Sequence, residues 1–155
     1  MWRLDGTKLT GWYGTWKGAE FELLSMNPDG GLLTLVQDGG AAPGSAWHTQ
    51  ILPNRFARTP SRHTLYVPAD EVTGINSVNV TGFIDPDCEL VIIAEVPNGN
   101  LAAECSIRAR MSGKMKLIDI YGFSKRDEGP LGRTSLFGYI PEAELTDISS
   151  RISYE

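Results

Sequence analysis

The chain contains one ten-residue motif twice: residues 66–75 read YVPADEVTGI, and residues 139–148 read YIPEAELTDI. Five of the ten positions are identical, and two more exchange one aliphatic residue for another. Proline has no backbone N–H to donate to a neighbouring strand, so it stands at the end or edge of a sheet. Each copy therefore predicts a strand that ends at Pro68 or Pro141, then one helical turn, then aliphatic residues that return to the core.

A second pair of similar blocks precedes the motifs in the same order. Residues 10–12 read TGW and residues 81–83 read TGF, at an offset of 71 compared with 73 for the motifs. Two blocks in the same order at nearly the same offset indicate an internal duplication. We expect two β domains, residues 1–79 and residues 80–155.

Short strands separated by turns are predicted along both halves. Apolar runs flank turn-rich segments in each half, which is the pattern of β-hairpins. Residues 114–120 also alternate between two faces and are predicted to form a strand. Because no window shows a sustained apolar period of 3.6 residues, the predicted fold class is all-β, a small barrel or sandwich.

The repeated motif resembles the C-terminal signature of SH3-type barrels. In that family a strand ends in an aliphatic-proline pair, and a 3₁₀ turn and a final short strand follow, as Gly138-Tyr139-Ile140-Pro141 and Leu145 suggest here. The resemblance implies two tandem SH3-like barrels. Peptide-binding SH3 domains carry a groove tyrosine where this chain has Glu71 and Glu144, so it implies the barrel rather than a groove for Pro-rich peptides.

The tandem layout also resembles small actinobacterial proteins of toxin-immunity type. Their pattern is an aromatic-Gly opening, an acidic hairpin, a Gly-Phe step and an aromatic-aliphatic-Pro-x-x-Glu-aliphatic close. Gly122-Phe123 followed by residues 139–145 matches the last two parts. This resemblance implies a non-enzymatic, protein-binding immunity protein that occludes the active site of a cognate toxin.

Composition and charge exclude several classes of protein. A net charge of −5 disfavours phosphate neutralisation on a nucleic acid, which needs a basic face. No apolar stretch approaches the roughly 20 residues of a membrane span. The first residues lack the charged-then-apolar pattern of a signal peptide, so we expect a cytoplasmic location.

Few residues are suited to catalysis or to metal binding. His48 and His63 are the two imidazoles, no nucleophile motif accompanies them, and each is expected to lie on the surface or in a loop. Cys88 and Cys105 lack zinc-ligand spacing and are expected to be small buried thiols. The sequence therefore predicts no enzyme activity, no metal and no cofactor.

The candidate partner-binding residues are acidic and aromatic. On a strand, alternate carboxylates would project from one side as a row, which suits a basic protein or Ca²⁺; a solvated strand face is the alternative. Residues 80–155 carry 8 basic and 12 acidic residues, so this half is better suited to a basic partner. Tryptophans either pack in the core or anchor a partner. The candidates are Asp85, Asp87, Glu89, Asp127, Glu128, Trp12, Trp16 and Trp47.

Other functions remain open at this point. The main alternative is a tandem SH3-like adaptor that binds a peptide or an assembly partner. A small hydrolase or transferase using His48 or His63, and a structural subunit of a phage or secretion particle, are further alternatives.

Overall fold

The computed structural model describes residues 1–51 and 61–155. The strands in these ranges are β1 (Gly11–Trp16), β2 (Ala19–Leu23), β3 (Leu32–Asp38), β4 (His48–Ile51), β5 (Ser61–Pro68), β6 (Thr73–Asp85), β7 (Cys88–Glu95), β8 (Leu101–Cys105), β9 (Ser124–Lys125), β10 (Leu136–Ile140) and β11 (Thr146–Tyr154). One α-helix, α1 (Met111–Tyr121), lies in the same ranges, and 3₁₀ turns occur at Ala69–Glu71, Leu131–Arg133 and Glu142–Glu144. The all-β prediction is confirmed, with a helix added.

The chain divides into two compact units. Unit 1 comprises Met1, Gly11–Val78 and Ile152–Glu155. Unit 2 comprises Trp2–Thr10 and Asn79–Arg151. Strand β6 continues from unit 1 into unit 2.

Strand pairing follows the same order in both units. In unit 1, β1 pairs with β2, β2 with β3, β3 and β4 with β5, and β6 returns to β1. In unit 2, β6 pairs with β7, β7 with β8, β8 and β9 with β10, and β11 returns to β6. In each unit the first three strands pair in sequence order, the fifth pairs with the third and carries the fourth at the edge, and the last strand pairs with the first.

The proline motifs occupy equivalent places in the two units. Pro68 ends β5 and Pro141 directly follows β10, and a 3₁₀ turn comes next in both cases. Val72 and Leu145 then point inward, each 8% exposed. Their backbone N–H groups donate to the carbonyl three residues earlier, at 3.2 and 3.0 Å. The predicted strand end and helical turn are confirmed at both prolines.

One glycine in each unit lies beside this inward residue. A Cβ on Gly14 would lie 2.7 Å from Val72 Cγ1, and a Cβ on Gly82 would lie 3.6 Å from the side chain of Leu145. Gly14 is therefore the counterpart of Gly82. The alignment of Gly11 with Gly82, taken from sequence similarity, is wrong by three residues.

The core of unit 1 is an aliphatic cluster between the strands. Buried leucine and valine side chains from β2, β3, β5 and the segment after the 3₁₀ turn form it: Leu23, Leu33, Leu35, Val67 and Val72. Directly paired strand positions contribute to it, since Leu33 lies opposite Val67 in the β3–β5 register. The pairing of the strands thus brings their apolar side chains together in one cluster.

The predicted strand at residues 114–120 is wrong, because these residues lie within α1. Lys114 and Leu117, three positions apart, are both fully buried on one face of the helix. Gly122 ends the helix in the left-handed conformation, with φ of 70°. Within the described ranges, no helix has the length and apolar character needed to cross a membrane.

A buried lysine fastens α1 to the rest of unit 2. The Nζ of Lys114 donates to the backbone carbonyls of Ile107 at 2.7 Å, Leu131 at 2.8 Å and Thr134 at 2.9 Å. Three carbonyls match the three N–H donors of an ammonium group. Lys114 therefore sits in the core with its hydrogen-bonding capacity filled by backbone.

Candidate functional site

The three alternate carboxylates do not form a row on one strand. Asp85 ends β6, Asp87 lies in the two-residue turn after it, and Glu89 belongs to β7. Asp85 pairs with Cys88 across the hairpin. Proline at position 86 favours a turn, which interrupts the alternation that the spacing suggests. The predicted row is therefore wrong, and the three residues surround the tip of the β6–β7 hairpin.

Cations from α1 and its N-terminal cap neutralise two of these carboxylates. Lys116 Nζ lies 3.0 Å from Asp85 Oδ1, and Arg110 Nη1 lies 3.3 Å from Asp87 Oδ2. The hydrogen bond to Asp85 raises the pKa of Lys116. Glu89 is exposed and has no ion pair among the described residues. We call Asp85, Asp87, Glu89, Arg110 and Lys116 the hairpin site.

The other two acidic candidates lie in the segment between β9 and the second 3₁₀ turn. Asp127 and Glu128 are both exposed. The Oδ1 atom of Asp127 accepts the backbone N–H of Gly129 at 2.7 Å, which holds a local turn. Asp127 thus has a local structural contact, while Glu128 presents its carboxylate to solvent.

The three tryptophan candidates separate into one exposed and two packed residues. Trp12 on β1 is 42% exposed. Trp16 and Trp47 pack against the unit 1 cluster and lie on Phe21, with ring centroids 6.3 and 5.5 Å away. Trp16 Nε1 also donates to Glu71 Oε2 at 3.0 Å. Of the three, Trp12 has the most accessible apolar surface for a partner.

His63 is buried, so the expectation that it lies on the surface or in a loop is wrong. It belongs to β5, and its Nε2–H donates to the carbonyl of Gly40 at 2.9 Å. In the neutral ring, Nδ1 accepts the hydroxyl of Thr49 at 2.8 Å. Both ring nitrogens are therefore engaged in holding β4, β5 and the residue 40 segment together. His48 is exposed at the start of β4.

Both cysteines are buried and free, as the sequence predicts. Burial raises the pKa of Cys88 to about 11, and burial also raises the pKa of Cys105. The thiolate is the nucleophilic form of cysteine, so these thiols are poorly reactive near neutral pH. In the part of the chain that the structure describes, no cluster of three His, Cys, Asp or Glu residues could hold a metal ion.

Sequence reasoning missed the cationic half of the hairpin site. Arg110 and Lys116 belong to α1 and its cap, where the alternation of residues 114–120 suggested a strand. The local signal that indicates a helix is Gly122, since glycine is favoured directly after a helix C-terminus. Once α1 is recognised, its basic residues can be considered as possible neighbours of the acidic hairpin.

Comparison of the chain with protein-family models, with curated proteins and with solved structures gives no match.

Proposed function

We propose that each half of the chain is an SH3-like barrel and that the two arose by duplication. The support is the equal order of strand pairing in the two units, with a proline and a 3₁₀ turn before the returning strand. The glycine opposite the first residue after each turn, Gly14 or Gly82, is a second likeness. Two independent features at matching positions favour a common origin over coincidence.

On this scaffold we propose a non-enzymatic protein-binding module, an immunity protein that occludes the active site of a cognate toxin. The observation that carries the proposal is the hairpin site, where exposed carboxylates project from a β-hairpin. Glu89 is exposed there, and the side chains of Asp85 and Asp87 are 42% and 63% exposed. A partner with a basic active site would find complementary charge at this tip.

The ion pairs within the hairpin site can be replaced by ion pairs to a bound protein. Solvent-exposed pairs contribute little to stability, so they open at low cost when a better cation arrives. A basic side chain of the partner would replace Lys116 at Asp85 or Arg110 at Asp87. The released cations then remain at the edge of the interface, where water solvates them. Trp12, in unit 1, is a separate candidate anchor.

The groove of a peptide-binding SH3 domain is not the proposed binding surface. At the two positions of the groove tyrosine, Glu71 accepts the indole N–H of Trp16 at 3.0 Å and Glu144 accepts the hydroxyl of Tyr121 at 3.2 Å. Both glutamates are thus engaged with an aromatic residue of the chain itself. These contacts favour the immunity function over the adaptor alternative.

Co-expression with the product of the adjacent gene tests the proposal. We expect the neighbour alone to arrest growth in the cytoplasm, and this chain to restore growth and to co-purify with it. The double variant Glu89→Lys/Glu128→Lys should lose protection, because it reverses two exposed charges in unit 2. Asp70→Lys, an exposed acid of unit 1, is the matched control and should protect fully. A harmless neighbour, or full protection by the double variant, would refute the proposal.

A further inference from the structure

A cavity of about 470 Å³ opens in unit 2 beside the end of β8. The apolar residues that line it are Val91 from β7, Ile107 from the turn after β8, and Cys105 of β8, which has no exposed surface of its own. Its polar lining residues are Glu104, Ser106, Arg108 and Ser135. Clefts of roughly 300–1,000 Å³ with apolar walls and a few polar groups are typical of small-molecule sites.

The charge of this cavity is positive even though the chain is acidic. Arg126 Nη2 bonds Glu104 Oε2 at 2.8 Å, which neutralises the one carboxylate of the lining. Arg108 is exposed and has no carboxylate partner among the described residues. Its guanidinium is thus an uncompensated cation at an apolar cavity. A planar guanidinium binds carboxylates through two parallel hydrogen bonds.

Two sides of the cavity are held in place by the same buried ammonium. Lys114 Nζ bonds the carbonyl of Ile107 on one side and that of Thr134, next to Ser135, on the other. The turn that carries Arg108 is further closed by two bonds to Ser106: the N–H of Arg108 donates to its Oγ at 3.1 Å, and that of Ala109 to its carbonyl at 3.1 Å. When a cavity is already formed, a ligand binds without the free-energy cost of ordering the side chains and loops around it.

We propose that this cavity binds a small ligand with one carboxylate and a short aliphatic chain. The carboxylate pairs with Arg108, and the hydroxyls of Ser106 and Ser135 are available to donate to its oxygens. The aliphatic chain lies against Val91 and Ile107. The inference does not depend on the proposed immunity function, because it uses a different part of unit 2.

Titration with sodium hexanoate, followed in ¹H–¹⁵N NMR spectra of the full chain, tests the proposal. We expect saturable shifts at the amides of residues 91, 104–108 and 135, with a dissociation constant on the order of 1 mM. 1-Hexanol and hexylammonium, which match the chain length without the negative charge, should bind much more weakly. Equal binding of 1-hexanol would overturn the assignment of the carboxylate to Arg108.

Two arginine variants test whether hexanoate binds at the cavity rather than elsewhere on the surface. Arg108→Gln should weaken hexanoate binding by about tenfold, since it removes a charged hydrogen bond. Arg133→Gln, which changes an exposed arginine outside the cavity lining, should bind like the unmodified chain. Retained amide dispersion in both variants shows that they fold. Absence of saturable shifts, or equal loss in both variants, would overturn the proposal.

Discussion

Gly74 and Asp147 adopt the same left-handed backbone conformation, with φ of 60° and 51°, and each lies six residues after the proline that closes a strand. Left-handed φ is free of strain for glycine but costs energy for a residue with a Cβ, even for aspartate, which tolerates it better than most. Unit 1 therefore carries the unstrained residue at this position, and unit 2 carries a strained one.

Opposite substitutions at these two positions should change stability in opposite directions. Asp147→Gly should raise the free energy of unfolding by about 0.5 kcal/mol, because strain is relieved at a small entropic cost. Gly74→Ala should lower it by about 1 kcal/mol. A Cβ on Gly74 would meet only Thr15 Oγ1, at 3.7 Å, so the loss comes from φ and not from crowding. Urea unfolding measures both; a neutral Gly74→Ala would contradict the shared conformation.

Gly14→Ala should destabilise the chain more than Gly82→Ala. The new Cβ would lie 2.7 Å from Val72 Cγ1 in the unit 1 core, whereas at Gly82 it would lie 3.3 Å from Ile148, which is 43% exposed and can move. Overpacking of a rigid core costs about 1–3 kcal/mol. Adding Val72→Ala should recover part of the loss in Gly14→Ala, and a double-mutant cycle of unfolding free energies measures that coupling. Additive effects would rule out the direct contact.

Lys114→Met should lower the free energy of unfolding by about 2–4 kcal/mol, because three buried carbonyls lose their charged donor. Hydrogen exchange should accelerate first in residues 107–109 and 131–135, which the ammonium joins. Lys116→Met is the control, since that ammonium is exposed on the same helix, and it should have a much smaller effect. Equal stability losses in the two variants would show that the buried carbonyls do not depend on Lys114.

The raised pKa of the buried thiol at Cys88 predicts both its reactivity and an alkaline loss of stability. The folded value is about 11, above the ordinary value of 9.0, because burial disfavours the thiolate. Below pH 9 this contribution to stability is complete, and it is lost as pH rises toward 11, because the unfolded chain releases its proton first. Native protein should react slowly with iodoacetamide at neutral pH and rapidly once unfolded.

Cys88→Ala isolates this contribution. The variant should lose less stability between pH 9 and 11 than the unmodified chain, as measured by urea unfolding across that range. Identical pH profiles for the two proteins, or rapid alkylation of native Cys88, would contradict a buried, protonated thiol.

The strand ends were predictable from sequence because the cause is local. Because proline has no N–H to donate, it is confined to strand ends, edges and bulges, so Pro68 and Pro141 could be placed at strand ends before any tertiary contact was known. The helix could not be placed in this way. Lys114 appears as a polar residue that should face solvent, and its burial depends on carbonyls at Ile107, Leu131 and Thr134, which come together only in the folded unit.

At the candidate site, too, features with a local cause were predictable and features that depend on tertiary contacts were not. The position of Asp85 near a turn could be deduced from the proline after it, but its ion pair with Lys116 could not, since the lysine comes from a helix 31 residues further on. The roles of Trp16 and Trp47 also depend on tertiary packing, because both rings meet on Phe21. Spacing identifies the residue types, and the fold determines which of them stay exposed.

In our proposal, two copies of one β unit close through the same proline-ended edge, each beside a glycine. The most direct test is the set of nuclear Overhauser effects from the glycine Hα protons. We expect cross-peaks from Gly14 Hα to the Val72 methyl groups and from Gly82 Hα to the Leu145 methyl groups. Loss of either cross-peak, in a sample whose strand amides show the expected cross-strand peaks, would contradict it.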